Sequence, residues 1–362
     1  MDDMKKIKAG IVGCGNISEI YLQNVKRFDS FDIVACADLD ANLAKQRAEE
    51  FGIPKACTTE ELLADSEIDL VINLTTPAVH ANIDLAALES GKHVYSEKPL
   101  AVTREEGRQV LATAEAKNLL VGSAPDTFLG GGIQTCRKLI DDGWIGDPVS
   151  ATAFMMNHGH ERWHPNPDFY YQEGGGPMFD MGPYYLTALV TLMGPIERVT
   201  GSAKITFPER TITSELKYGE KIQVKIPTQI NGILDFKSGA VASIITSFDT
   251  WHHNLPNMEI YGTKGSLVVP DPNTFGGPVY IRRHDQNSWS EIPLTHGFTD
   301  NSRGLGVADM AYSILKGETP RADGELAFHV LDVMHGFLEA SVANKHYKPM
   351  STCEKPRPLP VN

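Results

Sequence analysis

Cysteine is scarce in this sequence and poorly placed for cross-linking. The 362 residues contain five, Cys14, Cys36, Cys57, Cys136 and Cys353, and none forms a C-x-x-C pair. An odd, scattered set argues against a disulfide framework and against a cysteine zinc site, and it fits a reducing cytoplasm. Positive charge is also short: 33 Lys and Arg stand against 46 Asp and Glu, for a formal net charge of −13. No basic block offsets it, so nucleic acid and anionic lipid are disfavoured as partners. Long apolar runs are missing as well. The stretch entered at Ile7 is shorter than a signal-peptide core, and the sequence reads as having neither an export signal nor a membrane span. Nor is there an excess of proline, glycine or charge, since 41% hydrophobic and 22% charged residues are ordinary globular values. The chain is expected to fold nearly throughout.

What is present suggests two domains, because 362 residues exceed one comfortable core. From Ile7 to about Ala124, runs rich in valine and isoleucine alternate with helical periods. The predicted strands are Ile7–Val12, Phe31–Ala37, Leu70–Leu74, His93–Tyr95 and Leu119–Gly122. The predicted helices are Leu43–Phe51, Val79–Ser90 and Glu105–Lys117, the last opened by the capping-box pattern Thr103-x-x-Glu106. This alternation predicts an α/β, doubly wound parallel sheet over residues 1–124. Residues 125–362 read differently, with a helical stretch at Ile133–Asp142 followed by extended segments. These are Val149–Met156, Val199–Phe207, Ile222–Phe236, Ala240–Phe248, Met258–Val269, Val279–Arg283 and Trp289–Leu294. Short turns between them predict an antiparallel or mixed sheet. Helices at Val307–Leu315 and Gly324–Ala343 close the chain, and the proline-rich residues 355–362 read as an extended arm, packed or frayed.

The first strand runs into Gly13-Cys14-Gly15-Asn16-Ile17-Ser18 and then a helical run. The first glycine permits a tight bend, and the second lets backbone N–H groups at Asn16 and Ile17 approach a pyrophosphate at a helix amino terminus. Ser18 holds the third position, where glycine or alanine would pack closest. Asp38 ends the second strand about twenty residues on, where an acid accepts hydrogen bonds from the adenine ribose. Strand, glycines, helix, strand and acid in this order read as a dinucleotide site; the plainer alternative is a strand-to-helix turn and a strand-end acid. A carboxylate repels a 2′-phosphate, and Leu39 and Asp40 supply no cation. NAD is therefore expected over NADP.

Glu97-Lys98-Pro99 follows the His93–Tyr95 strand, at the edge where such sheets bind ligands. Alone, it could equally be an exposed ion pair. Together with the Gly13 turn, the loop Thr75-Thr76-Pro77-Ala78-Val79-His80 and the segment Gly174-Gly175-Gly176-Pro177-Met178-Phe179-Asp180-Met181-Gly182-Pro183-Tyr184, it makes nearly the whole chain resemble the Gfo/Idh/MocA oxidoreductase family. The resemblance implies a Rossmann domain, then an α+β domain on a large open, mostly antiparallel sheet, and a homo-oligomer, dimer or tetramer, associating through that sheet. It also implies roles. Thr75, Pro77, His80, Glu97 and Lys98 join Gly13, Gly15, Asn16, Ile17 and Asp38 as cofactor-binding candidates. Lys98 matches the lysine beside the nicotinamide that hydrogen-bonds the reacting oxygen, and Asp180 matches the substrate-site acid. Tyr184 falls where most members carry a histidine, so a histidine-based proton relay is not expected. Catalysis is assigned to Lys98, Tyr184 and Asp180. Pro125-Asp126-Thr127 replaces the usual asparagine- and arginine-bearing stretch, which points to an altered pocket with Asp126 as a substrate contact. Pro183 should kink its helix, so Asp180 and Tyr184 are not assumed to keep regular register. A cis Lys98–Pro99 bond is expected, because X–Pro bonds tolerate cis cheaply and cis would turn the lysine toward the cofactor.

His158, His160 and His164 surround Trp163, with Tyr170 and Tyr171 beyond. Histidines this close suggest a metal, but no acid or cysteine stands at ligand spacing, and none is expected to bind. Aromatic faces and imidazoles suit sugar rings, so Trp163 and His164 join Asp126 and Asp180 as substrate contacts, with loop packing as the alternative for each. The expected function is an NAD(H)-dependent oxidoreductase moving a hydride between the nicotinamide and a carbinol or carbonyl carbon of a sugar, cyclitol or related polyol. Two other readings stay open: redox-assisted glycoside cleavage with NAD re-formed each cycle, and a redox-inactive NAD-binding regulator.

Overall fold

The computed structural model describes residues 6–361 and divides the chain into two compact units. One holds the residues up to Leu129 with Asn301–Leu331; the other holds Gly130–Asp300 and the residues from Asp332 on. The single boundary expected at 124/125 is thus replaced by a division that the chain crosses three times.

The first unit alternates β1 (Ile7–Val12), α1 (Asn16–Asn24), β2 (Phe31–Ala37), α2 (Ala41–Phe51), β3 (Lys55–Cys57), α3 (Thr59–Ala64), β4 (Leu70–Asn73), α4 (His80–Glu89), β5 (His93–Ser96), α5 (Arg104–Lys117) and β6 (Val121–Ser123). Its strands pair in parallel in the order β3-β2-β1-β4-β5-β6. All four residues of β4 are buried, as a sheet covered on both faces requires. The order reverses direction between β1 and β4, and ligands of doubly wound sheets bind at the carboxyl ends beside such a switch point. The predicted capping box forms: Glu106 N donates to Thr103 Oγ1 at 3.2 Å and Thr103 N to Glu106 Oε2 at 2.9 Å. A second box, Thr58 with Glu61, opens α3. With three and six residues, β3 and α3 are too short to show a period, and the sequence reading omits both.

The second unit comprises α6 (Gly131–Asp141), β7 (Pro148–Met156), α7 (Gly176–Met193), β8 (Ile196–Lys204), β9 (Glu209–Thr211), β10 (Lys221–Gln223), β11 (Gln229–Phe236), β12 (Val241–Ser247), β13 (Met258–Gly262), β14 (Gly265–Val269), β15 (Val279–Arg283) and β16 (Ser290–Ile292). Eight strands form one sheet in the order β16-β15-β14-β13-β7-β12-β11-β8, antiparallel except for the β7–β12 pair. β9 and β10 make a separate hairpin. Alternation is regular: Ile230, Leu234 and Phe236 point into the core while Asn231 and Ile233 point out. Helix α7 packs on β7, β11 and β12, and α6 on β14 and β15. Helix α7 has no narrow apolar stripe, because all of its residues but Asp180 and Met181 are buried. It continues as an α-helix through Pro183.

Two late helices follow, α8 (Leu305–Lys316) and α9 (Gly324–Ala343). Within the first unit α8 packs beside β6. Among the described residues α9 is the one helix long and apolar enough to cross a membrane, yet Leu326, Val330, Leu331, Val333, Met334 and Phe337 are buried, as in a core helix. The carboxyl-terminal arm is packed rather than frayed: Arg137 Nη1 donates to Pro356 O at 2.8 Å and Leu359 N to Gln134 Oε1 at 2.8 Å, tying it to α6.

Candidate active site

In the first unit β1 ends in a turn shaped for close approach. Gly13 has φ +99°, and a Cβ there would lie 2.7 Å from the backbone of Leu74. Gly15 caps α1 and is open, since a Cβ would meet nothing within 4 Å. Asn16 is exposed and Ile17 half-buried at the start of α1. Ser18 is fully buried, and its Oγ donates to Gly15 O at 2.7 Å, so the small third residue packs inside as the fingerprint requires. Asp38 follows β2. Its Oδ2 accepts from Cys14 N at 2.7 Å and its Oδ1 from Asp40 N at 2.9 Å. Two bonds occupy about half of a carboxylate's acceptor positions, and the rest remain for ribose hydroxyls. The turn therefore fits a dinucleotide: N–H groups at a helix amino terminus, an open glycine, and an acid held beside them.

Beneath the next strand end lies a buried polar cluster that sequence reasoning missed. Asn73 Nδ2 donates to Asp84 Oδ1 at 2.7 Å and to His80 O at 3.0 Å, and Asn73 Oδ1 accepts from Thr75 Oγ1 at 2.6 Å. Thr75 and Pro77 are half-buried on the loop this cluster shapes. His80 is withdrawn from the expected cofactor set: it is fully buried, with Nδ1 at 2.8 Å from Pro99 O and Nε2 at 3.0 Å from Thr75 O. It ties the Thr75 loop to the Lys98–Pro99 segment, and burial pushes its pKa down. Asp84 is buried beside Asn73 and Ser96, and burial pushes its carboxyl up to about 7. Because its folded pKa exceeds the unfolded value, the folded state holds the extra proton, and the stability Asp84 contributes is lost as pH rises from about 4 to about 7. Asp84→Asn removes that slope. Its melting temperature should exceed the wild type's at pH 8, by up to the order of 4 kcal/mol in stability, and show no such advantage at pH 4.5. Thermal melts of both proteins across this range check it, and a difference between variant and wild type that does not grow with pH would overturn it.

The Lys98–Pro99 bond is cis, as expected, and Lys98 is half-buried at the end of β5. Glu97 is buried; its Oε1 accepts from Tyr21 on α1 at 2.9 Å and its Oε2 from Lys98 N at 3.0 Å. It braces the strand end against α1. The reading of Asp126 is corrected. Buried in the first unit, it accepts from Gly304 N at 2.9 Å and Gly306 N at 3.0 Å, capping α8, and burial pushes its carboxyl up to about 6. A helix cap, not substrate, accounts for this acid.

In the second unit Asp180 and Tyr184 lie one turn apart on α7, Tyr184 buried and Asp180 half-buried. A histidine meets the acid: His160 Nε2, from the loop after β7, is 3.3 Å from Asp180 Oδ2. The three neighbouring histidines do not converge on one point. His158 stacks on Trp251 with centroids 3.4 Å apart, His160 on Tyr170 at 3.8 Å, and His164 meets Tyr170 edge-on at 5.3 Å. Among the described residues no group of three metal-ligating side chains occurs. Trp163 is 63% exposed and tilts against His160, whereas His164 is half-buried, with Nδ1 accepting from Asn166 N at 3.0 Å. A buried ionic network anchors this loop. Arg210 pairs with Glu161 at 2.5 Å and with Asp249, and the Tyr171 hydroxyl also donates to Glu161. Nothing in the sequence signals it, since its members lie far apart along the chain.

Two family models match the chain, an oxidoreductase family with an NAD-binding Rossmann fold over residues 7–124 and the GFO/IDH/MocA C-terminal domain over residues 133–268. The chain belongs to the Gfo/Idh/MocA family of oxidoreductases. A 1,5-anhydro-D-fructose reductase of Ensifer adhaerens is 26% identical over 291 residues, covering 79% of this chain and 82% of the relative. Among solved structures, a levoglucosan dehydrogenase in complex with NADH and L-sorbose superposes with a TM-score of 0.83 at 20% identity, over 96% of this chain and all of that one. A putative NADPH-dependent oxidoreductase from Desulfitobacterium hafniense gives 0.80 at 18% identity, over 96% and 98%. At these identities the structures share the fold. Membership makes this chain an NAD-binding oxidoreductase of the dehydrogenase and reductase kind.

Proposed function

We propose that this family member is an NAD(H)-dependent enzyme that interconverts a carbinol and a carbonyl on a sugar, cyclitol or related polyol. One observation carries the reading: the open Gly15 turn, Asp38 and Lys98 all stand at the carboxyl edge of a single parallel sheet. Relatives acting on an anhydro-sugar and on levoglucosan support the substrate class. Bound NAD supplies the hydride acceptor, and its reduced form the donor. Lys98 Nζ and Tyr184 Oη carry the proton, taking it from a hydroxyl in oxidation or giving it to a carbonyl oxygen in reduction. Amines and phenols titrate near 10 in water, so reduction starts from the abundant protonated forms and is as accessible as oxidation. Asp180 and Trp163 hold the substrate, the acid through its hydroxyls and the indole through a ring face. Assembly is proposed as a homo-oligomer through the outer face of the eight-stranded sheet, where Ile233 and Val241 are exposed.

NAD preference follows from Asp38, with exposed Leu39 and Asp40 offering no cation for a 2′-phosphate. kcat/KM should be higher with NAD than with NADP, and Asp38→Ser with Leu39→Arg should shift the ratio toward NADP. Equal or better efficiency with NADP in the wild type would overturn this. A screen of sugars, cyclitols and keto-sugars, read at the reduced-nicotinamide absorbance, tests the reading as a whole. Glycoside cleavage without net absorbance change, or no turnover of any compound, would reject it.

A further inference from the structure

His160 touches the proposed substrate acid, and its surroundings define which nitrogen carries the proton. Nε2 lies 3.3 Å from Asp180 Oδ2, with both side chains nearly buried at 10% and 13% exposure. Two acceptors that close would repel, so Nε2 is the nitrogen that bears hydrogen and faces the carboxylate. Nδ1 is buried and has no partner. A second N–H there would be a buried donor left unsatisfied on a charged ring, which costs more than a bare lone pair. Both observations place hydrogen on Nε2 rather than on Nδ1.

The ring cannot easily turn away from this contact. Its face stacks on Tyr170 at 3.8 Å with an interplanar angle of 13°, and Phe248 meets it edge-on at 4.7 Å. Its backbone N–H donates to the Tyr171 hydroxyl at 3.3 Å. The next residue, Glu161, is clamped by Arg210, which also bonds Phe248 O at 2.6 Å. Groups that titrate or carry charge around the imidazole are Asp180 on α7, His164, Glu161, Tyr170 and Tyr171 on its own loop, and Arg210 and Asp249 beyond Glu161.

We propose that His160 is the positioning residue of Asp180: its Nε2–H holds the carboxylate ionised and aimed for a substrate hydroxyl, and the Arg210–Glu161 clamp holds His160. This deepens the function proposed above and rests on its assignment of Asp180. The imidazole thus serves the acid from a loop, while position 184 on the helix is a tyrosine.

The pairing is read without any turnover. In full-length protein labelled with ¹⁵N-histidine, the two-bond ¹H–¹⁵N pattern that disappears in His160→Gln belongs to His160. It should show hydrogen on Nε2 and not on Nδ1 alone, and it should shift in Asp180→Asn. An Nδ1–H pattern, or no response to Asp180→Asn, would overturn the proposal. Kinetics with an active polyol tests the consequence. His160→Leu should lower kcat by about a hundredfold, the scale of a misplaced catalytic group, while KM for NAD stays within about twofold. Without its donor Asp180 should protonate more readily, so the acid limb of the kcat/KM profile should move to higher pH. His160→Gln, which keeps an amide donor, should recover most of the loss. An unmoved acid limb, or glutamine no better than leucine, would overturn it. If the leucine variant does not fold, the glutamine variant and the wild-type spectrum still decide. If no polyol turns over, the proposed function fails while the spectrum still answers for the pair.

Discussion

Lys98→Met is expected to lower kcat by about two orders of magnitude or more, since general acid-base help is typically worth about a hundredfold to ten-thousandfold. The thioether matches the length of the lysine stem but neither donates to a reacting oxygen nor exchanges a proton with it. Tyr184→Phe is the companion test. Tyr184 is buried on α7, so phenylalanine keeps its packing and removes the hydroxyl alone. Its loss should fall in kcat with cofactor affinity preserved. Steady-state kinetics with NADH fluorescence titration separates the outcomes. If Tyr184→Phe stays within about twofold in kcat while Lys98→Met abolishes turnover, the lysine alone carries the proton. If neither variant changes kcat on a substrate with real turnover, the catalytic assignment is wrong.

The two glycines of the nucleotide turn should fail in opposite ways. Gly13→Ala places a Cβ 2.7 Å from the Leu74 carbonyl, at a φ of +99° that side chains rarely adopt. Backbone cannot yield as a flexible side chain can, so strain and overpacking together should cost roughly 2 to 4 kcal/mol and part β1 from β4 at the switch point. A lower melting temperature without cofactor and a loss of NAD binding beyond tenfold are expected. Gly15→Ala meets no protein atom within 4 Å and has an ordinary φ of −68°. The apoprotein should melt as the wild type does, yet bind NAD more weakly, because the methyl occupies the space the pyrophosphate needs. Equal NAD affinity for Gly15→Ala and wild type in calorimetry would remove the turn from the cofactor site.

The sequence by itself determined the Rossmann unit, because its signals are local: strand runs, the glycine turn, the capping box at Thr103 and the acid at Asp38 each lie within a few residues of the structure they specify. It also determined the family, through motifs contiguous along the chain. Burial is not local, and only the tertiary structure decided it. His80 and Asp126 carry polar atoms suited to a ligand, but both are enclosed and hydrogen-bonded to backbone, so they shape the loop and cap a helix instead. Helix α7 hid its period because nearly all of its residues are buried, Asp180 and Met181 excepted. The meeting of His160 with Asp180 depends on a loop folded back by Arg210, which stands 49 residues from Glu161 in the chain. No spacing rule encodes that contact, since it exists only once the β9–β10 hairpin has set Arg210 against Glu161, where a buried ion pair is less costly than an unpaired charge.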